Sequence, residues 1–403
     1  MLAGKHIVLG VTGGIAAYKS AEIVRLLVKD GASVRVIMTQ HAQEFITPLT
    51  LQTLSGNPVA TETFSLTQES EIGHIRLADT ADALLIAPAT ANIIAKLAHG
   101  LADDLLSTVL LATTAPVLLA PAMNVHMYAH PMVQENMRKL ASVGYGFVEP
   151  AEGFLACGYE GKGRLADPDA IVEELRATLT KKDMRHEHVI VTAGPNAEPI
   201  DPVRFITNRS TGKMGFAMAR VAWRRGAEVT LVSGPTSLDP PRGVRFHPVR
   251  TALEMQKAIL EYYSTATIIV SAAAVADYRP AHVAPQKIKK MGGNFSIELT
   301  RNPDILGELA HQKGNRLHVG FATETENVLA NAARKLRNKN LDMIVANDVT
   351  QEGAGFAHDT NIVTLIDRME RMETLPLMTK DEVAYAVYDR LLAMKAETGD
   401  TVR

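Results

Sequence analysis

Short, almost continuously apolar segments alternate along the chain with longer segments in which apolar residues recur at a helical period. The segments His6–Thr12 and Ala83–Pro88 are of the first kind, which is typical of strands buried on both faces of a parallel sheet. The segment Ile15–Lys29 is of the second kind, and Gly31 follows it as a helix-ending residue would. The alternation predicts an α/β fold with mainly parallel sheets.

The alternation forms two series, separated by a charged stretch without apolar periodicity, residues 181–188, which we predict to be a linker. The first series, residues 1–180, contains further strands at 33–39 and 115–121 and closes with a helix that begins near Pro168. The second series, residues 189–403, is predicted to contain strands at 189–194, 228–233, 267–271, 317–321, 342–346 and 361–366, and helices at 214–225, 252–263 and 380–394. The sequence therefore predicts two tandem Rossmann-like domains.

The composition is that of a soluble globular protein, with 46% hydrophobic residues, 21% charged residues and a net charge of −2. This balance favours neither a nucleic-acid partner nor a membrane partner, and no apolar run is long enough to span a bilayer. The single cysteine excludes an intramolecular disulfide and a cysteine-rich metal site, and it fits a reducing cytoplasm. The first residues lead directly into a strand pattern, without the pattern of a secretion signal.

Cys157 lies in a glycine-rich stretch, residues 152–168, which we predict to be a long loop before the helix that starts near Pro168, because glycine weakens both helices and strands. Lys162 and Arg164 would place positive charge beside an exposed thiol, a setting that tunes a cysteine for chemistry. The alternative is a surface loop with an incidental thiol.

A glycine pair, Gly13 and Gly14, follows the first strand and opens a helix, where backbone N–H groups can hold a phosphate. The dinucleotide fingerprint does not fit, because Gly10 and Gly13 have the wrong spacing and the second strand ends in Thr39 rather than an acidic residue. The pattern therefore disfavours NAD and favours a mononucleotide or phosphate ligand. The alternative is a tight turn that binds nothing.

Two asparagines, Asn92 and Asn124, follow predicted parallel strands, whose carboxyl ends are where α/β sheets bind ligands. Each could hydrogen-bond a flavin ring or a carboxylate, and each could equally be a helix cap. By itself, His74 would be read as a structural histidine.

Five motifs of the first half stand together in order: Gly13–Lys19, Gly73–Ile75, Pro88–Asn92, Pro121–Asn124 and Ala156–Gly158. With them the chain resembles the flavin-dependent phosphopantothenoylcysteine decarboxylase family. The resemblance implies a flavodoxin-like fold, a homo-oligomer and FMN, not a metal, as the redox cofactor. The FMN-binding residues that it implies are Gly13, Gly14, Ile15, Ala16, Thr39, Pro88, Ala89, Thr90, Ala91 and Asn92.

The resemblance also implies the chemistry. The substrate thiol is oxidised to a thioaldehyde, which acts as an electron sink while the carboxylate leaves, and the resulting enethiol is then reduced by the flavin. By the matching motifs His74 is the base, Asn124 holds the substrate carboxylate and Cys157 protonates the enethiol-type intermediate.

In the second half, residues 201–215 invite a phosphate-loop interpretation that fails, because no glycine stands five residues before Gly212 and Met214 follows Lys213 where Ser or Thr is needed. Polar residues at this helix start still suit an anion, although a capped helix beside a basic loop is the alternative. Further on, Lys287, Lys289 and Lys290 are either solvated or face a triphosphate.

Residues 188–395 resemble phosphopantothenate–cysteine ligases of the CTP-using bacterial type. The resemblance implies that Lys287 and Asn208 are catalytic, with Asn208 handling an acyl-cytidylate, and that Mg²⁺ accompanies CTP on ligands that the sequence does not identify. Two departures, at Asn196–Ala197 and at Thr211, put local contacts in doubt. The CTP-binding residues that it implies are Ser271, Ala272, Ala273, Asp277, Lys287, Asn302, Pro303, Asp304, Ile305, Phe321, Lys335 and Lys339.

Together the resemblances imply a bifunctional, cytoplasmic enzyme of coenzyme A biosynthesis with 4′-phosphopantothenate, cysteine and CTP as substrates. They imply trimers of the first domain and dimers of the second, hence a dodecamer. Two alternatives belong to other classes. One is a flavin-binding regulatory or interaction protein that has lost its chemistry. The presence of all three residues His74, Asn124 and Cys157 disfavours it. The other is an NAD-type dehydrogenase, which the missing fingerprint disfavours.

Overall fold

The computed structural model describes residues 2–63, 73–154, 160–290, 295–324, 327–348, 355 and 358–399. The chain divides into two compact units, Met1–Thr180 and Lys181–Arg403.

The first unit contains a sheet of six parallel strands, whose central strands are buried, and a separate two-stranded hairpin. Its strands are β1 (His6–Val11), β2 (Ser33–Met38), β3 (Val59–Ala60), β4 (Ala83–Ala89), β5 (Val117–Pro121), β6 (Gly146–Phe147), β7 (Ala151–Phe154) and β8 (Glu160–Arg164). The sheet has the order β3-β2-β1-β4-β5-β6, which is common in doubly wound nucleotide-binding folds.

Helices cover both faces of this sheet. They are α1 (Ser20–Lys29), α2 (Pro48–Ser55), α3 (Gly73–Thr80), α4 (Ala91–His99), α5 (Leu105–Ala112), α6 (Val125–Ala129), α7 (Pro131–Ser142) and α8 (Pro168–Leu179), with 3₁₀ helices at Ile15–Lys19 and Gln40–Glu44. One core contains Ile23 of α1 and Ile171 of α8, and the core on the opposite face contains Ile94 of α4 and Val109 of α5. Two apolar faces explain why the central strands are almost continuously apolar.

The prediction of one loop across residues 152–168 is wrong at 152–154 and at 160–164, because β7 and β8 pair there as an antiparallel hairpin. The glycines are compatible with these strands because they adopt positive φ angles, +148° at Gly161 and +154° at Gly163. A Cβ on Gly163 would lie 2.5 Å from the Met123 carbonyl oxygen, so glycine allows a close backbone approach there. Cys157 lies outside the described residues.

The second unit has a larger sheet of eight strands and three short two-stranded ribbons. Its strands are β9 (His188–Ala193), β10 (Ala197–Pro199), β11 (Phe205–Thr207), β12 (Glu228–Ser233), β13 (Arg245–Pro248), β14 (Ile268–Ser271), β15 (Tyr278–Pro280), β16 (Leu299–Arg301), β17 (Leu317–Glu324), β18 (Met343–Asp348), β19 (Thr360–Asn361), β20 (Val363–Asp367), β21 (Met372–Thr374) and β22 (Met378–Thr379). The sheet order is β13-β12-β9-β14-β17-β18-β20-β21. All neighbouring pairs from β13 to β18 are parallel, whereas the pairs β18–β20 and β20–β21 are antiparallel.

The helices of the second unit also pack on both faces of its sheet. They are α9 (Lys213–Arg224), α10 (Ala252–Tyr263), α11 (Ile305–Ala310), α12 (Val328–Asn338) and α13 (Lys380–Gly399). Val221 of α9 and Tyr388 of α13 share one core, while Ile259 of α10 and Leu309 of α11 belong to another. The predicted fold class, tandem α/β with mainly parallel sheets, is confirmed. Within the described residues, we find no helix that combines the length and apolarity needed to cross a membrane.

Residues 181–188, expected as a linker, pack within the second unit. Met184 is fully buried in its core, and Asp183 accepts two hydrogen bonds from the Arg225 guanidinium, at 2.8 and 2.9 Å. Arg225 also donates to Asp389 of α13 at 2.6 Å. One buried cation therefore joins this segment to the carboxyl-terminal helix.

We expect Arg225→Ala to destabilise the second unit by about 3 kcal/mol, because it leaves the half-buried Asp183 without its partner. The change is measured by denaturant unfolding followed through the fluorescence of Trp223, the only tryptophan of the chain. Arg337→Ala is the matched control, since its ion pair with Glu370 is exposed and should contribute less than about 1 kcal/mol. Equal losses in the two variants would contradict the role of Arg225.

Candidate active sites

A cleft of about 1000 Å³ opens at the carboxyl ends of β1, β2, β4 and β5 in the first unit. The carboxyl ends of parallel strands share one edge of a sheet, so the turns after these strands meet there. The cleft is lined by Thr12, Gly13, Gly14, Ile15, Ala16, Tyr18, Lys19, Thr39, Gln40, His41, Thr90, Ala91, Asn92, Ile93, Lys96, Asp103, Asp104, Ala122, Met123, Asn124, Met127, Gly163, Arg164 and Leu165.

The buried hydroxyl of Thr12 fastens the end of β1 to the turn after β4. Its Oγ1 donates to the Pro88 carbonyl at 2.7 Å and accepts from the Thr90 amide at 3.2 Å. Thr90 then caps α4, its Oγ1 accepting from the Ile93 amide at 3.5 Å. These bonds hold the segment Thr90–Asn92 in the cleft wall.

The two glycines after β1 have different roles in the cleft. A Cβ on Gly13 would lie 2.4 Å from the Cβ of His41, so glycine lets the turn after β1 contact the 3₁₀ helix after β2. A Cβ on Gly14 would meet only the Thr90 methyl group, at 3.7 Å. Backbone on this side of the cleft is therefore accessible to a ligand.

Asn124 caps α6 by accepting the His126 amide at Oδ1, at 2.8 Å. The β7–β8 hairpin supports this turn, because the Met123 amide donates to the Gly163 carbonyl at 2.9 Å. The hairpin thus borders the cleft at Asn124, and Gly163 and Arg164 line the cleft with it.

Most of the predicted FMN-binding residues line this cleft: Gly13, Gly14, Ile15, Ala16, Thr39, Thr90, Ala91 and Asn92. Pro88 and Ala89 lie behind the wall and support it through their carbonyls, Ala89 accepting the Ala122 amide at 3.0 Å. His74 is in the first turn of α3 and is not among the cleft-lining residues of its own chain.

The acidic pair on the cleft rim, Asp103 and Asp104, was not predicted from the sequence. Lys96 contacts Asp103 at 2.6 Å and Asp104 at 2.9 Å. Burial opposes the charged form of Lys96, but the hydrogen bonds to the two carboxylates raise its pKa. The signal was present, because Asp104 and Ser107 form a capping box at the start of α5.

The second unit has a cleft of about 420 Å³ beyond the carboxyl ends of β14 and β17. It is lined by Thr192, Met255, Ile259, Ser271, Ala273, Val275, Ala276, Asp277, Tyr278, Arg301, Asn302, Pro303, Asp304, Ile305, Leu306, Phe321, Lys335 and Lys339.

Asn302 joins the two loops that form one side of this cleft. Its amide donates to the Asp277 carbonyl and its Nδ2 donates to the Ala276 carbonyl, both at 2.8 Å. Arg279 in turn donates to Oδ1 of Asn302 at 3.1 Å. The loop after β14 and the loop before α11 are therefore held as one wall.

Lysines at the carboxyl end of α12 supply positive charge to the cleft. Lys335 donates to the Phe321 carbonyl at 2.9 Å, and Lys339, one turn later, contacts Oδ1 of Asp304 at 2.8 Å. Burial opposes ionisation of Asp304, but the bonds from Lys339 and from the Gly307 amide lower its pKa. Arg301 adds a further cation to the lining.

All the predicted CTP-binding residues except Ala272 and Lys287 line this cleft. Lys287 is exposed and stands outside the lining, as does Asn208, whose Nδ2 donates to the Ala274 carbonyl at 3.0 Å. Arg301 also lines this cleft but was not predicted from the sequence. Its position directly before Asn302 was the available signal.

Asn196, where the sequence departs from the ligase pattern, is fully buried and makes defined contacts. Its Nδ2 donates to Glu198, and its Oδ1 accepts the amide of the cleft residue Ala276 at 2.8 Å. Glu198 accepts the Ala252 amide at 2.8 Å, so a continuous series of polar contacts runs behind the cleft. In the part of the chain that the structure describes, no three His, Cys, Asp or Glu side chains form a metal-binding group.

Two α/β units, each with a cleft at the ligand-binding edge of a parallel sheet, define a two-site α/β protein. Residues 1–180 match the flavoprotein family, and residues 184–394 match the family described as DNA/pantothenate metabolism flavoprotein C-terminal domain.

The chain is similar over its whole length to curated relatives. It is 50% identical to the coenzyme A biosynthesis bifunctional protein CoaBC of Bacillus subtilis, with 99% of this chain and 100% of the relative covered. It is 49% identical to the protein of the same name from Vibrio cholerae, with 96% and 97% covered. The chain belongs to the family of coenzyme A biosynthesis bifunctional proteins. The predicted class, a bifunctional enzyme of coenzyme A biosynthesis, is confirmed.

Two solved structures are similar to parts of the chain. A crystal structure of the C-terminal domain of a CoaBC protein is 42% identical, covers 54% of this chain and 100% of its own, and has a TM-score of 0.47. A mutant PPC decarboxylase, complexed with pantothenoylaminoethenethiol, is 29% identical, covers 43% and 96%, and has a TM-score of 0.38.

We expect Gly163→Ala to loosen the turn that carries Asn124, because its Cβ would lie 2.5 Å from the Met123 carbonyl oxygen. The measurement is hydrogen exchange of the Met123 amide, which should become about tenfold faster or more. Gly153→Ala is the control, since Gly153 also has a positive φ, +143°, but its Cβ would meet only the Arg164 guanidinium, at 4.0 Å. Unchanged exchange in Gly163→Ala would contradict the close approach.

Proposed function

We propose that the second unit joins 4′-phosphopantothenate to cysteine at the expense of CTP, and that the first unit decarboxylates the 4′-phosphopantothenoylcysteine formed. The observation that carries this proposal is the separation of the two ligand sets. The FMN residues implied by the sequence gather on the cleft of the first unit, and the CTP residues gather on the cleft of the second.

The first cleft fits FMN in size and in chemistry. A volume of about 1000 Å³ accommodates a ligand larger than a mononucleotide base, and Ile15, Ala16 and Met123 offer apolar surface for a flat ring. The accessible backbone at Gly14 suits a phosphate. When bound, FMN supplies reversible two-electron oxidation and reduction of the substrate.

The protein side chains supply positioning and proton transfer. Asn124 holds the substrate carboxylate at the hairpin side of the cleft, His74 removes a proton during the oxidation, and Cys157 returns one to the decarboxylated product. His74 acts in the cleft of a neighbouring copy, because the first units form trimers with shared flavin sites and the second units form dimers, together a dodecamer.

The second cleft suits a nucleoside triphosphate. Arg301, Lys335 and Lys339 provide positive charge, and Ser271 and Ala273 at the end of β14 border the base. Mg²⁺ would accompany CTP and would neutralise part of the charge of its phosphates.

Ligation proceeds in two transfers. A carboxylate oxygen of 4′-phosphopantothenate attacks the α-phosphorus of CTP, and pyrophosphate leaves. The cysteine amine then attacks the acyl carbon of the cytidylate, the bond from this carbon to the phosphate oxygen breaks, and CMP leaves. Lys287 stabilises charge during the first transfer, and Asn208 holds the cytidylate during the second. We place both reactions in the cytoplasm, as a chain with one cysteine favours.

The proposal is tested by incubating the purified protein with 4′-phosphopantothenate, cysteine and CTP. Pyrophosphate, CMP and carbon dioxide should appear in equal amounts. Ligation without carbon dioxide would favour the alternative, a first unit that binds flavin but has lost its chemistry. Absence of pyrophosphate and CMP would overturn the ligase assignment.

We expect His74→Asn to block decarboxylation before any carbon dioxide forms, with the flavin remaining oxidised. Cys157→Ser should act later, so that carbon dioxide is released once, an oxidised decarboxylated product accumulates and the flavin remains reduced. Carbon dioxide release and flavin absorbance distinguish the two variants. CMP release should be normal in both and is the internal control. Complete product formation by Cys157→Ser would remove this thiol from the mechanism.

We expect Lys287→Gln to lose pyrophosphate release by about 100-fold or more, because the lysine stabilises the charge that develops on the phosphates. Asn208→Asp should form the cytidylate but pass it slowly to cysteine. Quenched reactions with labelled CTP, run without cysteine and then with it, separate the two transfers.

The two variants control for each other in that experiment. If Asn208→Asp formed no cytidylate while Lys287→Gln formed it at the normal rate, the assignment of roles would be reversed.

A further inference from the structure

Asp201 is a buried carboxylate to which the proposed ligation assigns no role. Its residue is 1% exposed, although it lies in a surface loop of the second unit between β10 and β11. Oδ1 accepts the amides of Val203 and Arg204, each at 2.8 Å. A buried carboxylate with this many donors has a defined position.

The other oxygen of Asp201 reaches a segment 87 residues further along the chain. Oδ2 accepts the amide of Ile288 at 3.1 Å and contacts the Arg204 guanidinium at 3.0 Å. Arg204 donates to the carbonyl of the same Ile288. Both backbone groups of Ile288, the residue directly after Lys287, are therefore held by Asp201 and its ion-pair partner.

A further backbone bond joins the same two segments. The Ala284 amide donates to the Ile200 carbonyl at 3.0 Å, so residues 284–288 are fastened to residues 200–204 at two places. The Lys287 side chain is exposed, and the backbone bonds that fasten this segment are made by Ala284 and Ile288. Its position is thus set by the backbone on which it stands.

The hairpin of β10 and β11, whose loop contains Asp201, leads to Asn208. Strand β11 begins at Phe205, directly after the two amides that Asp201 accepts, and pairs with β10. Asn208 follows β11 and donates to the Ala274 carbonyl beside the cleft. One carboxylate thereby connects the segment that carries Lys287 with the segment that carries Asn208.

We propose that Asp201 is a positioning residue of the ligase, which holds the backbone of Lys287 in register with the nucleotide cleft. The inference rests on the proposed function, since it assigns Lys287 to the first transfer. A carboxylate suits the task because both oxygens accept hydrogen bonds. An asparagine at this position could accept the Val203 and Arg204 amides with its side-chain oxygen. Its side-chain nitrogen would then face the Ile288 amide, and two donors cannot form a hydrogen bond with each other.

The test compares Asp201→Asn with Asp367→Asn in the full-length protein. Asp367 is also 1% exposed and accepts two amides, those of Met369 and Arg371, together with the Arg371 guanidinium, but it is not among the residues that line the nucleotide cleft. It therefore controls for the general cost of changing a buried, hydrogen-bonded carboxylate.

The first measurement is limited trypsin digestion, with cleavage after Lys287, Lys289 and Lys290 followed by mass. Asp201→Asn should accelerate cleavage at these sites about tenfold or more, because it releases the Ile288 amide, whereas Asp367→Asn should leave their rate unchanged. This measurement requires no ligase activity, so it separates a failure of the inference from a failure of the proposed function.

The second measurement is pyrophosphate release without cysteine at saturating CTP. Asp201→Asn should reduce the rate by about 10- to 100-fold, as expected for a displaced catalytic group, while the KM for CTP changes less than about threefold. The rate of Asp367→Asn should equal that of the unchanged protein. Normal trypsin resistance at Lys287–Lys290, a normal rate, or equal loss in both variants would overturn the proposal.

Discussion

Parallel strands impose one constraint on both units, because all their carboxyl ends reach the same edge and the turns that follow must fit together there. In the first unit Gly13 admits the backbone of His41, and the Thr12 hydroxyl joins the turns after β1 and β4. In the second unit the buried Asn196 fastens the turn after β9 to the amide of Ala276 after β14. The clefts are the space that remains between turns fixed in this way.

The two clefts have the same formal charge, because the lining of each contains three Lys or Arg side chains and two aspartates, so volume distinguishes them rather than charge. In the first cleft, of about 1000 Å³, Lys96 is paired with both Asp103 and Asp104, Lys19 and Arg164 are the other cations, and much of the remaining lining is glycine, threonine and apolar side chains. A flavin with a single phosphate needs little more than backbone N–H groups. In the second cleft, of about 420 Å³, Lys335, Lys339 and Arg301 line the wall with Asp277 and Asp304, and these cations suit the phosphates of a nucleotide.

Local patterns predicted much of this architecture. Buried strands such as β12 and amphipathic helices such as α10 have the bounds that the apolar periodicity indicates, because burial on a sheet face imposes that periodicity directly. The hairpin of β7 and β8 was missed, since Gly161 and Gly163 weaken any strand pattern. Their role is evident only from the close approach of Gly163 to Met123, which lies 40 residues earlier in the chain.

Site residues were predictable where a motif follows a strand, because the sheet then brings the motif to the ligand-binding edge. This holds for Thr90–Asn92 after β4 and for Ser271 and Ala273 at the end of β14. The motif Asn302–Ile305 follows β16, which lies outside the large sheet, and it reaches the cleft through the bonds of Asn302 to Ala276 and Asp277. The rule does not hold for Lys287 or Asn208, which stand on irregular segments whose course depends on contacts distant in sequence. Asp201 shows why: its bond to the Ile288 amide has no signature in either segment, yet it fixes the backbone next to a predicted catalytic lysine. Side chains that organise irregular segments are therefore identified from coordinates, through the donors that they satisfy.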